Sequence, residues 1–177
     1  DSYGSRGLGD VYKRQSIIHP KTLQPLQKKE IPLHVKSFKN PKSKGTIISK
    51  EIEIEPLVPC YIFKENLILI KLSSLDFSFM VEDNISNIFK ELHDFKMKVD
   101  VIQNSAISFS VCFFDKYNNI DALVKNLEGK FKIEMHKNVS LFTIRHFNEK
   151  SIKKVSNKRK LVLEQRTEKT VRLIFSN

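Results

Sequence analysis

An α+β fold is what this 177-residue sequence predicts, on three observations. Between Leu67 and Met135 the apolar periodicity runs strand, helix, strand, strand, helix, strand. A shortened version of the same order begins again at Asn138. The apolar share of 40%, with 13 phenylalanines, supplies a real core in a size range where domains of roughly 100 to 150 residues are usual.

Each element has its own signal. LILIKL, Leu67 to Leu72, reads as a buried strand. Asp83 offers an N-cap to a helix whose Ile85, Ile88, Phe89, Leu92 and Phe95 share one face. Two alternating runs follow, with Val99, Val101, Ile107, Phe109, Val111 and Phe113 expected on one buried face and the polar cluster Gln103, Asn104 and Ser105 at their join. Asn118 or Asn119 caps a second helix that gathers Ile120, Leu123, Val124 and Leu127, and Gly129 suits its left-handed end. Phe131, Ile133 and Met135 alternate in the closing strand. This split βαββαβ order is that of ferredoxin-like folds.

The second unit opens with the strand NVSLFTIRH, continues with a short helix capped by Asn148, and ends in the strands KLVLEQRT and KTVRLIF. Its last helix and strand are missing from that order, which leaves a β edge to be covered. Thr46 to Ser49 is the expected covering strand. Upstream, Pro20, Leu23, Leu26 and Gln27 predict a helix and Ile31 to Val35 a strand, one αβ step that ends in the turn-rich KNPKSKG. The expected organisation is therefore an αβ step at 16–48, an extended connector at 49–66 with Pro56 and Pro59, a first unit at 67–137 and a second at 138–177. Residues 1–15, DSYGSRGLGDVYKRQ, have neither periodicity and resemble a translated cloning adapter, so they are set apart from the fold. Gly4, Gly7 and Gly9 there follow no predicted strand and lack the Gly-Lys-Ser/Thr ending of a phosphate loop.

Composition narrows the function classes. No apolar run approaches the roughly 18 residues of a membrane span, and no secretory leader pattern is present. Cys60 and Cys112 are far apart in sequence, so a reduced, cytoplasmic setting is expected. Five histidines without paired spacing and two cysteines predict no metal site. The formal charge of +11 raises nucleic acid as a partner, but lysines alternate with acids along the chain, and the basic run Lys150 to Lys160 reads as a solvated helix face. An RNA-recognition module shares the strand and helix order; its stacking aromatics do not appear in AISFSVCF, where Phe109 and Phe113 share the buried face. The expectation is no nucleic acid and no membrane.

Two stretches resemble a known family. His19-Pro20-Lys21-Thr22 and Ile31-Pro32-Leu33-His34-Val35 resemble motifs at the end of the amino-acid-kinase domain of aspartokinases, and the tandem units resemble the regulatory ACT domains that follow it. The resemblance covers about residues 16 to 177. It implies a parent enzyme that uses ATP and Mg²⁺ to phosphorylate the side-chain carboxylate of aspartate, ACT units that pair in a homodimer, and inhibition by bound lysine or threonine. The family's Lys-Phe/Tyr-Gly-Gly-Thr start and its phosphate-binding residues are not in this sequence, so no catalytic residue is assigned, no cofactor is expected on this chain and it is expected to be inactive alone. A free-standing amino-acid-binding or dimerisation module is the other alternative.

The polar join then acquires a candidate role. Asp83, Asn84 and Ile85 open a helix whose unpaired N–H groups suit an effector carboxylate. Val99 and Asp100 lie on the neighbouring strand, Asp100 as acceptor for the effector's ammonium. Gln103, Asn104 and Ser105 can hydrogen-bond a lysine or threonine side chain. The same residue types are also ordinary turn and capping residues. Glu82, Asp83 and Asn84 stand where many relatives have a glycine before this helix.

Overall fold

A computed structural model describes residues 20–49, 57–76 and 78–176. The adapter-like residues 1–15 and the motif residue His19 lie outside them. The chain divides into two compact units, Asp1–Glu55 and Pro56–Asn177.

In the first unit, helix α1 (Pro20–Lys28) precedes the hairpin β1 (Leu33–Val35) and β2 (Thr46–Ile48). Leu33 pairs with Ile48 and Val35 with Thr46. Gly45 turns the chain into β2 with φ +68°, and a Cβ there would sit 2.3 Å from the Val35 carbonyl oxygen, so no larger residue fits. Leu23 and Leu26 line a shared groove with Leu33 and Ile48. The expected covering role of Thr46 to Ser49 is thereby corrected: its ladder is with β1, in a separate two-stranded sheet.

Among its described residues the second unit forms a six-stranded antiparallel sheet with three helices. Its elements are β3 (Cys60–Ser74), α2 (Glu82–Asp94), β4 (Lys98–Asn104), β5 (Ser108–Phe114), α3 (Ile120–Leu127), β6 (Phe131–Arg145), α4 (Glu149–Ser156), β7 (Lys160–Arg166) and β8 (Thr170–Ser176). The strand order is β4-β5-β3-β6-β8-β7. The expected boundaries at 66/67 and 137/138 fall inside the two 15-residue strands β3 and β6. The later half of β3 pairs with the earlier half of β6, Ile70 opposite Met135, and completes the βαββαβ unit with α2 and α3. The earlier half of β3 pairs with the later half of β6, Tyr61 opposite Ile144, and completes the second unit with α4. The strand that covers the shortened unit thus comes from the predicted connector. Pro56 and Pro59 masked it, yet Cys60-Tyr61-Ile62-Phe63 is a β-prone run directly after them.

Between the two halves the ladder shifts register, from Lys64 opposite Leu141 to Leu67 opposite Val139 and then Leu69 opposite His136. Asn66 (φ +58°) and Asn138 (φ +57°) occupy the left-handed region at this irregularity. Asparagine tolerates that conformation because its short polar side chain can bond locally.

Three apolar clusters hold the unit. Ile70, Leu72, Phe109, Val111 and Phe113 face Ile88, Leu92, Leu123 and Leu127 of α2 and α3. Ile144, Val171, Leu173 and Phe175 face Val155 of α4. The third cluster, Leu67, Leu69, Val101, Cys112, Val139, Leu141 and Ile174, lies on the helix-free side, with Val162 and Leu163 packed against it. It stays dry because the sheet coils until its edge strands meet: Gln165 Nε2 donates to the Ile102 carbonyl oxygen at 3.0 Å, from β7 to β4. Each fully buried side chain of this size contributes about 1.5–3 kcal/mol.

The caps differ in detail from expectation. Val81, without a side-chain cap, precedes α2, and Asp83 is inside its first turn, where Glu82 and Asp83 complement the positive helix end. Asn119 is the N-cap position of α3, but its amide donates to the Phe95 carbonyl oxygen, and Asp115 Oδ2 accepts the Ile120 N–H instead at 2.8 Å. Gly129 has φ +81°, the left-handed residue foreseen. Asn148 caps α4 in a reciprocal pair with Ser151.

Two outcomes follow from this packing. Replacing Asn138 by Gly should leave stability nearly unchanged, whereas Asn138→Val should cost about 1–2 kcal/mol, the strain of a left-handed branched residue, in chemical denaturation. Burial, reinforced by nearby Asp100 and opposed by Lys64, pushes the Cys112 thiol up to about 12. Iodoacetamide at about pH 8 should therefore alkylate the exposed Cys60 alone in the folded chain and both thiols after denaturation, since the thiolate is the nucleophile.

Candidate functional site

The turn between β4 and β5 is built by serines. The Ser105 N–H donates to the Ser108 carbonyl oxygen at 2.8 Å, the two hydroxyls lie 2.8 Å apart, and the Ser108 N–H donates back to Ser105 Oγ. Ladder pairing stops one residue earlier, at Asn104 opposite Phe109. This much explains the polar join as turn chemistry. A second bond gives it a neighbour. The Met80 N–H donates to the Ala106 carbonyl oxygen at 2.8 Å, which holds the segment entering α2 against the turn.

The start of α2 and the β4–β5 turn are therefore adjacent. In the first turn of α2, Ile85 N–H already bonds the Val81 carbonyl oxygen, while the N–H groups of Glu82, Asp83 and Asn84 precede the helical ladder. Asp83 is exposed, and Asn84 and Ile85 are half-buried, Ile85 against the first core. Asn104 and Ser105 are exposed. Apolar side chains surround the place: Phe79 is 69% exposed, Ile107 50% and Val81 47%. Such a surface can accept a carboxylate on backbone N–H groups and a polar side chain on the Asn104 amide.

Not all the expected residues join it. Strand β4 shifts register between Val99 and Val101, and the shift separates their faces. Val99 packs on the helix side, Val101 on the helix-free side. This corrects the single buried face drawn from alternation, as does Ile107, half exposed at the turn. Beyond the bulge, alternation returns Asn104 to the helix side and leaves Gln103, also exposed, on the face of Val101. Asp100 forms an ion pair with Lys64 of β3 instead of waiting for a ligand's ammonium. At about 3.3 Å per residue it lies roughly 13 Å along the strand from Asn104.

Sequence reasoning passed over what surrounds that ion pair. Ile62, Lys64, Asp100, Leu141, Thr143 and Arg172 line a cavity of about 210 Å³. Lys64 falls in the predicted connector and Arg172 in the predicted strand KTVRLIF. The available signal was alternation in TVRLIF, which places Arg172 on the same face as Ile174. Among the described residues, no group of three or more His, Cys, Asp or Glu side chains converges as metal ligands would.

No protein-family profile matches the chain. Curated relatives do. Lysine-sensitive aspartokinase 3 of Escherichia coli is 30% identical over 97 residues, 54% of this chain and 21% of that protein. Chloroplastic aspartokinase 1 of Arabidopsis thaliana is 28% identical over 102 residues, 57% of this chain and 18% of that protein. The chain thus spans about a fifth of the length of these relatives. Among solved structures, Clostridium acetobutylicum aspartate kinase superposes with a TM-score of 0.73 at 16% identity, over 96% of this chain and 43% of that one. E. coli aspartokinase III in complex with lysine and aspartate gives 0.67 at 20% identity, over 90% and 38%. A putative C-terminal regulatory domain of aspartate kinase from Porphyromonas gingivalis gives 0.55 at 14% identity, over 67% and 86%. The coiled six-stranded sheet, its shared central strands and these sequence likenesses agree: the chain is a relative of the aspartokinases and carries the fold of their regulatory, ACT-bearing portion.

Proposed function

We infer that the chain is the regulatory C-terminal part of an aspartokinase and that its first βαββαβ unit binds a free amino acid, lysine or threonine, as a feedback effector. One observation supports this: the Met80–Ala106 bond ties the segment entering α2, whose first N–H groups precede the helical ladder, to the turn that follows Asn104 and Ser105. The helix end takes the effector's carboxylate, and the Asn104 amide reads its side chain. Asp83 contributes its backbone, since its own carboxylate would repel the ligand. Asp100, held by Lys64, serves the sheet in this arrangement.

The exposed ring of Phe79, Val81 and Ile107 suits closure of the site by a second copy of the unit, which would make the effector a ligand of a homodimer. In the parent enzyme, ATP and Mg²⁺ serve transfer of the γ-phosphoryl to the aspartate side chain, and this regulatory stretch supplies no catalytic residue. A cytoplasmic setting goes with this reading; within the described residues no helix is long and apolar enough to cross a membrane. The RNA-binding alternative is disfavoured by burial, because Phe109 and Phe113 of β5 are 1% and 0% exposed and cannot stack on bases.

Calorimetric titration of L-lysine and L-threonine into the chain tests the inference. One of the two should bind saturably, and Asn104→Ala should weaken it by about 1–3 kcal/mol, the usual loss when a buried polar partner is left unpaired. Heat from neither amino acid, or equal affinity in the variant, removes the assignment.

A further inference from the structure

On the helix-free side of the sheet, four strands present one row of side chains. Ile62 of β3 lies opposite Thr143 of β6, Thr143 opposite Arg172 of β8, and Arg172 opposite Gln165 of β7. The next row on that face is Lys64, Leu141, Ile174 and Leu163. Strand β4 is tied to them by the Lys64–Asp100 ion pair and by the bond from Gln165 to Ile102, and Ile62, 45% exposed, lies at the open side. What remains is the cavity of about 210 Å³. That is room enough for a short-chain organic acid.

Its charges do not balance. Lys64 is matched by Asp100. Arg172 is partly buried and donates through Nη1 to the Gln165 side-chain oxygen at 3.1 Å, but among the described residues it has no carboxylate partner. The guanidinium is a planar fork that matches a carboxylate in two parallel bonds, and one excess positive charge is met by one negative charge. Thr143 adds a hydroxyl at the same level. Ile62 and Leu141 give the cavity an apolar wall.

We propose that this cavity is a second ligand site, in which Arg172 and Thr143 hold the carboxylate of a small monocarboxylic acid while its short carbon chain lies against Ile62 and Leu141. The site is on the opposite face of the sheet from the start of α2, so it is separate from the effector site inferred above. It spans both halves of the sheet and its occupant would brace β4 against β8.

Titration of sodium butyrate into the ¹⁵N-labelled chain, followed by amide chemical shifts, tests this. Saturable shifts are expected at Thr143, Arg172 and their neighbours, with none from matched sodium chloride or n-butylammonium chloride. Arg172→Gln should abolish the response. Arg172→Lys keeps the charge and should fold even if the glutamine variant does not; it should bind about tenfold more weakly, because the fork is lost. Absence of saturable shifts with butyrate, the same shifts with either control salt, or unchanged affinity in Arg172→Lys would overturn the proposal. Both variants should keep the amino-acid response at Asn104, so failure at one site is distinguishable from failure at the other.

Discussion

The antiparallel pairing of β3 with β6 is the contact on which the rest of the second unit depends. Each strand is 15 residues long, and each gives one half to either end of the sheet. Had the ladder run straight, an unbroken alternation would have bound both halves to one pattern of faces. The shift around Asn66 and Asn138 relieves that constraint, so that Ile70 and Leu72 can serve α2 and α3 while Ile144 serves α4. Neither half is complete without the other, because the fourth strand of the second half is the beginning of the first strand of the first half.

That sharing also creates an inner side. The halves coil toward one another until β4 and β7 touch, and a face that would otherwise be wet becomes a third apolar cluster. At one end of it the side chains turn polar: Lys64, Asp100, Thr143 and Arg172 line the cavity, with Gln165 bonded to Arg172. Desolvation offsets much of the attraction of such a partly buried ion pair, so its presence says little about stability. The start of α2, on the other face, is a different kind of surface, open and rimmed by Phe79, Val81 and Ile107. The two ligand sites inferred from the structure thus lie on opposite faces of one sheet.

Much of the site's local chemistry was legible beforehand. Ser105 is a turn former by residue type, and the turn it makes with Ser108 is the one its hydroxyl favours. The helix with Ile85, Ile88 and Leu92 on one face follows from spacing alone. The cap expected at Asp83 lies two positions inside the observed start: Val81 opens the helix with backbone only, and packing of Ile85 and Ile88 stabilises it instead. Val99 and Val101 were joined on one face because alternation has no way to announce a bulge.

Sequence by itself determined most of the elements: the helices, the strands other than the start of β3, the βαββαβ order, a turn at Ser105, and the left-handed Gly129. These depend on periodicity and on side chains acting within a few residues of their own backbone. Tertiary structure alone decided which strand covers the shortened unit, that two predicted strands fuse into β6, and that Lys64 meets Asp100 across 36 positions. Those are choices among distant partners of similar apolarity. They are settled only when register, sheet coiling and the exclusion of water from the inner face are satisfied together.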